Sequence, residues 1–130
     1  MFNTMFRRAS LLAAAACLGA AVPALAHHSI ALYDTDHLTT LKGKVTRIEW
    51  TSPHVFVYFD AKEADGGQAE WSMELDPPVL LRRYGWSKDT VVVGDEISCT
   101  GAPAKSGAKA MRGAIVELPD GTQLRVWSRV

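Results

Sequence analysis

Histidines stand at positions 27, 28, 37 and 54 of the 130-residue chain, and the 76 residues after His54 contain none. Imidazole nitrogen is a borderline ligand that suits copper(II) and zinc(II), and copper(II) heads the divalent affinity order. A chain that begins at His27 offers one ion both its terminal amine and a ring nitrogen. His28 adds a second ring, and His54, in Thr51-Ser52-Pro53-His54, adds a third if the N-terminal arm folds back onto that turn. The candidate metal set is therefore His27, His28 and His54, with copper or zinc as the ion. The spacing carries no paired Cys-x-x-Cys signature. The same residues also fit a solvated terminus, a loop residue at His37, and a turn histidine that bonds its own backbone.

A second constellation combines carboxylates with indoles. Glu74 and Glu70 alternate with apolar residues in Ala69-Glu70-Trp71-Ser72-Met73-Glu74-Leu75. Trp71 falls on the apolar side, as core, and Trp86 is expected to pack beside a short helix. Trp50 and Trp127 remain for a stacking surface. Trp50 and Glu74 are the candidate cofactor- or ligand-binding pair, at the mouth of a barrel. Acid–base chemistry needs a carboxylate in a perturbed environment within reach of substrate. No Gly-rich phosphate loop or nucleophile elbow accompanies Glu74, so binding is the first expectation. An enzyme with a carboxylate at the barrel mouth is the alternative.

These residues are positioned by a strand-rich chain. Thr39–Trp50 alternates loosely and predicts a long first strand, with Gly43 allowing a coil or bulge. Pro53 reverses the chain. Val55–Phe59 is β-branched and aromatic and predicts a second strand. Asp65-Gly66-Gly67 marks a hairpin loop, and Ala69–Leu75 predicts a half-buried third strand. Asp76-Pro77-Pro78 reads as a helix start, with the Asp76 side chain as cap and proline at the first position, for two turns over Val79–Tyr84 stopped by Gly85. Further strands are expected over Glu96–Thr100, Lys109–Leu118 and Gln123–Arg129, with a loop at 101–107 and a turn at Pro119-Asp120-Gly121-Thr122.

Three strands, a short helix and then further strands is the element order of the OB-fold. The expected class is all-β with one short helix: a small OB-like Greek-key β-barrel of five to six strands. A small sandwich built from the same strands is the alternative.

Met1–Ala26 has the three parts of a secretory signal: Arg7-Arg8, an apolar run Leu11–Val22, and Ala24-Leu25-Ala26 as cleavage site. Ala15-Ala16-Cys17 resembles a lipoprotein site only weakly, and Arg7-Arg8 a twin-arginine signal only weakly. Residues 1–26 are thus expected to be a signal peptide. Residues 27–130 form a single domain with an arm over 27–38, periplasmic or secreted, with no membrane span left after cleavage. Cys17 leaves with the signal, so Cys99 is unpaired; its place in an alternating run points to a buried, inert thiol.

Loss of Arg7 and Arg8 moves the balance from 14 basic against 14 acidic residues to 12 against 14. That mixed, mildly acidic chain lacks the basic footprint of nucleic-acid binding. The partner is expected to be a small ligand or a periplasmic protein.

Several short motifs occur in one order: His27-His28-Ser29, Leu41-Lys42-Gly43-Lys44-Val45, Trp50-Thr51-Ser52-Pro53-His54, Trp71-Ser72-Met73-Glu74, Arg83-Tyr84-Gly85-Trp86, and Gly94-Asp95 before Gly101-Ala102-Pro103. Together they resemble a family of small exported bacterial proteins of uncharacterised function. The family turn usually reads Trp-x-Asn-Pro-His, and Ser52 replaces its asparagine. The resemblance implies the barrel and the compartment, and no activity.

Overall fold

The computed structural model describes residues 28–128. The alternation expected of the sequence is expressed as six strands and two short helices: α1 (His28–Ala31), β1 (Thr39–Glu49), β2 (Phe56–Lys62), β3 (Gln68–Glu74), α2 (Pro78–Arg83), β4 (Glu96–Pro103), β5 (Ala110–Glu117) and β6 (Gln123–Arg125). The sheet order is β3-β2-β1-β4-β5-β6, and a parallel pairing of β3 with β5 closes the first five strands into a barrel. β6 is added to β5. With α2 between β3 and β4, this is the OB-like barrel expected from the element order.

β1 has to serve two neighbours. Residues Thr39–Lys44 pair with β4 and Gly43–Glu49 pair with β2, so Gly43 and Lys44 lie where the strand passes from one partner to the other. A side chain at Gly43 would meet the Asp60 carbonyl and stand 2.7 Å from the Phe59 ring. Glycine is therefore required there by close approach of a neighbouring backbone. The irregularity allowed for near Gly43 falls slightly later, between Val45 and Arg47.

The barrel is filled by the inward residues of each strand, among them Val45, Val57, Phe59, Met73, Ile97, Cys99, Met111 and Val116. Each such side chain contributes roughly 1.5–3 kcal/mol on full burial, so this interior dominates the fold's stability. Leu81 of α2 is fully buried in the same cluster. Gly85 (φ 93°) stops α2, and the indole of Trp86 then packs on the barrel and donates to the Arg125 carbonyl at 2.9 Å.

Three expectations change. The loop expected from residue 101 is strand as far as Pro103, because Gly101 at a register shift sits against the Arg112 carbonyl and lets pairing continue. The sixth strand is only three residues long. The arm, expected without an element, contains the single turn α1 and then lies along the end of β4: Tyr33 forms a bridge with Ala104, Asp34 N–H donates to the Pro103 carbonyl at 2.9 Å, and Lys105 N–H donates to the Leu32 carbonyl at 2.9 Å.

Candidate ligand site at the seam of the third and fifth strands

Met73 and Met111 point into the barrel, so the next residue on each strand, Glu74 and Arg112, points out. The parallel register sets these two directly beside one another. An outward position is ordinarily solvated, yet Glu74 is 7% exposed and Arg112 3%. Other segments roof them over.

The guanidinium of Arg112 is shared between carboxylates. Its Nη2 bonds Asp76 Oδ1, and its Nη1 lies 3.4 Å from Glu74 Oε1. Tyr33, brought in by the arm, donates its hydroxyl to Glu74 Oε2 at 3.0 Å. Asp76 Oδ2 accepts the Ser128 N–H at 3.0 Å and faces the Tyr84 hydroxyl at 3.4 Å. The ring of buried Trp127 lies 5.8 Å from the guanidinium carbon, within cation–π range. Arg112 Nε is buried without a hydrogen-bond partner among the described residues. With two carboxylates and one guanidinium, the cluster carries one negative charge in excess.

His54 stands beside this cluster. Its Nδ1 is 3.0 Å from the Leu75 carbonyl and 3.5 Å from Glu74 Oε1. A carbonyl only accepts, so Nδ1 carries the proton and donates. The Nη1 of Arg112, 3.4 Å away, then cannot donate to that nitrogen and is directed to Glu74. In the neutral ring the lone pair is left on Nε2, which makes no hydrogen bond among the described residues. The ring retains 28% of its accessibility.

The Tyr33 hydroxyl is pushed up to about 12, first by burial and then by the charge and hydrogen bond of Glu74. It remains a donor. Both oxygens of Glu74 are therefore engaged, one by Arg112 and one by Tyr33, which suits a carboxylate that orients its neighbours better than one that shuttles protons.

The outer face of β1 and β2 continues from Glu74. Phe56 pairs across the strands with both Glu74 and Glu49, and Tyr58 with Arg47 and Ser72. The Phe56 and Tyr58 rings are stacked at 6.3 Å and 29°, and the Arg47 guanidinium lies 3.5 Å over Tyr58. Both rings are half-buried, and with Arg47 capping one face of Tyr58 they form an aromatic–guanidinium platform that borders, through Phe56, the carboxylate His54 faces.

The structure does not bring Trp50 and Glu74 together. Trp50 is half-buried, packs against the hydrophobic cluster and lines a recess with Ile48, Val55, Trp86 and Val91, while Glu74 is outside the wall. Trp127, the other indole assigned to a stacking surface, is buried. Trp71 is half-buried, with its Nε1 on Glu63 and Lys109 over its ring. Glu70 stays on the exposed face, bonded by Thr46, whereas Glu74 is covered, an outcome the alternation alone cannot distinguish.

Asp76 is the plainest correction. The residue at the helix cap is Pro77, whose side chain has no acceptor, and the Asp76 carboxylate one residue earlier turns to Arg112. Sequence reading also missed Arg112, although a lone arginine inside Ala110-Met111-Arg112-Gly113-Ala114-Ile115-Val116 was the available signal.

His27 lies outside the described residues, and so does the side chain of His28; His37 is exposed and paired with Asp34. Among the described residues no three His, Cys, Asp or Glu side chains are grouped to hold a metal ion. Cys99 is fully buried and its thiol pushed up to about 12 by that burial, so it is inert as expected. No helix among the described residues is long and apolar enough to cross a membrane.

Comparison with curated proteins and with solved structures finds no match. A family model does match, over residues 15–113, and it spans the arm, the turn at His54, the seam carboxylates and Arg112. The chain belongs to DUF6152, a family of unknown function.

Proposed function

We propose that this protein is an exported binding module that holds a small ring-bearing ligand on the outer face of β1, β2 and β3, beside His54. The leader-like residues 1–26 support export to the periplasm or beyond. The observation that carries the binding role is the buried Glu74–Arg112–Asp76 network with a half-open imidazole at its edge. A buried ion pair is a poor source of stability, since desolvation of its charges offsets their attraction, and an apolar substitute of equal volume often does as well. Such a network is better explained by what it orients. It holds His54 in one tautomer near the Phe56–Tyr58 rings, which together with the Arg47 guanidinium over Tyr58 offer a planar ligand a stacking surface. A polar group on that ligand would meet His54 Nε2.

The test is a fragment screen by amide chemical shifts on metal-free, isotopically labelled protein, using small aromatic and sugar fragments. Hits should cluster on Phe56–Tyr58, His54 and Ser72–Glu74, and Tyr58→Ala should weaken them by about tenfold, the factor that corresponds to roughly 1.4 kcal/mol of lost stacking. Hits confined to other faces, or none, would remove this reading and leave a protein partner to be sought.

A further inference from the structure

We propose that the recess over the crossing point of β1 is a second binding site, for a compact anion that also carries hydroxyl groups: a hydroxylated carboxylate or phosphate. The ammonium groups of Lys42, Lys44 and Lys62 hold its charge, and the carboxylates of Asp60 and Glu96 accept from its hydroxyls.

The first support is shape. β1 leaves β4 for β2 at Gly43 and Lys44, so the strands that flank it part there. Over this point lies a recess of about 440 Å³, bounded by Lys42 and Lys44 on β1, Asp60 and Lys62 on β2, Gln68 on β3 and Glu96 on β4. That volume lies within the roughly 300–1,000 Å³ of small-molecule sites. The recess is distinct from the aromatic platform, because Tyr58 and Lys62 are four residues apart on β2, about 13 Å along an extended strand.

The second support is charge that the fold does not use. Lys42, Lys44 and Lys62 are exposed and enter no ion pair or side-chain hydrogen bond among the described residues. Other basic side chains of the outer face are taken, Arg47 by Glu49 and Lys109 by Glu63. Lys44 stands opposite Asp60 on β2 and Glu96 on β4 and still pairs with neither. An exposed pair gains little over two solvated side chains, so these ammoniums and carboxylates remain available to a ligand.

The third is the composition of the lining. An ammonium only donates and an ionised carboxylate only accepts, so a ligand that satisfies both brings a negative charge and hydroxyl donors. Three lysines against two carboxylates leave one positive charge, which favours a small anion and is too little for a polyanion such as nucleic acid. The seam beside His54, with one negative charge in excess, has the opposite preference. Lysine acts as a point charge without the planar fork of arginine, which serves a carboxylate and a phosphate alike.

The test is an amide chemical-shift titration of the isotopically labelled protein, produced with its own leader, against glucuronate, glycerol phosphate, glucose and inorganic phosphate. Glucose lacks the charge, and inorganic phosphate lacks a carbon-bound hydroxyl. At low ionic strength glucuronate, glycerol phosphate or both should shift the amides of Lys42, Lys44, Lys62 and Gln68 saturably, and the tighter of the two tells a carboxylate ligand from a phosphate one. Glucose should shift none of them, and inorganic phosphate should bind at least about fivefold more weakly than the tighter probe. The double change Lys42→Gln, Lys44→Gln should weaken binding by about tenfold or more, and Lys62→Gln by about fivefold, the effect of one unit charge about 4 Å away in a water-like medium. Lys88→Gln, beside Trp86, should leave it unchanged, and about 0.15 M salt should weaken it in the parent. All these lysines are exposed, and urea midpoints confirm that the variants fold. Inorganic phosphate or glucose binding as tightly as the hydroxylated anions would overturn the ligand class. Undiminished binding in the double lysine variant, or no saturable shift at these residues in the parent, overturns the site. Neither result bears on the aromatic platform, whose fragments are scored at His54, Phe56–Tyr58 and Ser72–Glu74.

Discussion

Arg112 is the residue on which the seam depends. It is the cation between two buried carboxylates, and its removal would leave Glu74 and Asp76 facing each other with no counter-charge. Arg112→Met is expected to lose about 3–5 kcal/mol in urea unfolding, the usual consequence of stranding a buried charge. The triple change Glu74→Gln, Asp76→Asn, Arg112→Met should recover most of that loss; a single variant within 1 kcal/mol of the parent would show that the carboxylates are hydrated. A second prediction concerns alkaline pH. Burial raises Cys99 from an ordinary 9.0 to about 12, and Tyr33 moves from 10.0 to about 12. In both cases folding favours the protonated form. The stabilisation is intact below pH 9 for Cys99 and below pH 10 for Tyr33, and each contribution is lost as pH rises through about 12. Cys99→Ala should therefore shift the alkaline unfolding midpoint upward, at a cost of about 1 kcal/mol at neutral pH from lost packing. An unchanged midpoint would mean that another group triggers the transition.

At the scale of elements, Gly43 shows what a sequence pattern can and cannot convey. Glycine in an otherwise alternating strand signalled a coil, and the structure supplies the reason: β1 there passes from β4 to β2 with the Asp60 carbonyl too close for a side chain. Gly43→Ala should cost about 1–3 kcal/mol, as overpacking of a tight site does, and amide exchange should quicken first in β1 and β2. Protection lost evenly through the barrel would argue against a local clash. The succession of strands along the chain, the helix between β3 and β4 and the buried thiol were legible because each depends on local alternation, proline or glycine. The seam was not. Alternation says that Glu74 and Arg112 point outward, but the parallel closure that pairs them, and the arm and C-terminal segment that cover them, are long-range events. Asp76 misled for a related reason: Asp-Pro-Pro is a sound local cap signal, and a guanidinium 36 residues away in sequence competes more strongly for the same carboxylate. Trp50 was drawn to a stacking face by residue type alone, whereas its place one residue past Glu49 turns it onto the core.

For the whole molecule, the division of labour along the chain bears on export. Every strand among the described residues begins at or after Thr39, and the arm from His28 to Leu38 is fastened to the barrel by Tyr33, Asp34 and the Leu32 carbonyl. A cut behind Ala26 therefore leaves in place all six strands described and the described residues that hold the arm. The one cysteine that would remain is buried and protonated, so an oxidising compartment has no thiolate to act on. Both features suit a protein that folds after transport. When the full chain is produced in a Gram-negative host with its own leader, the periplasmic fraction should contain a single species with the mass of residues 27–130 and His27 as its first residue. Full-length chain held in the cytoplasm or the membrane, or a first residue other than His27, would refute the cleavage.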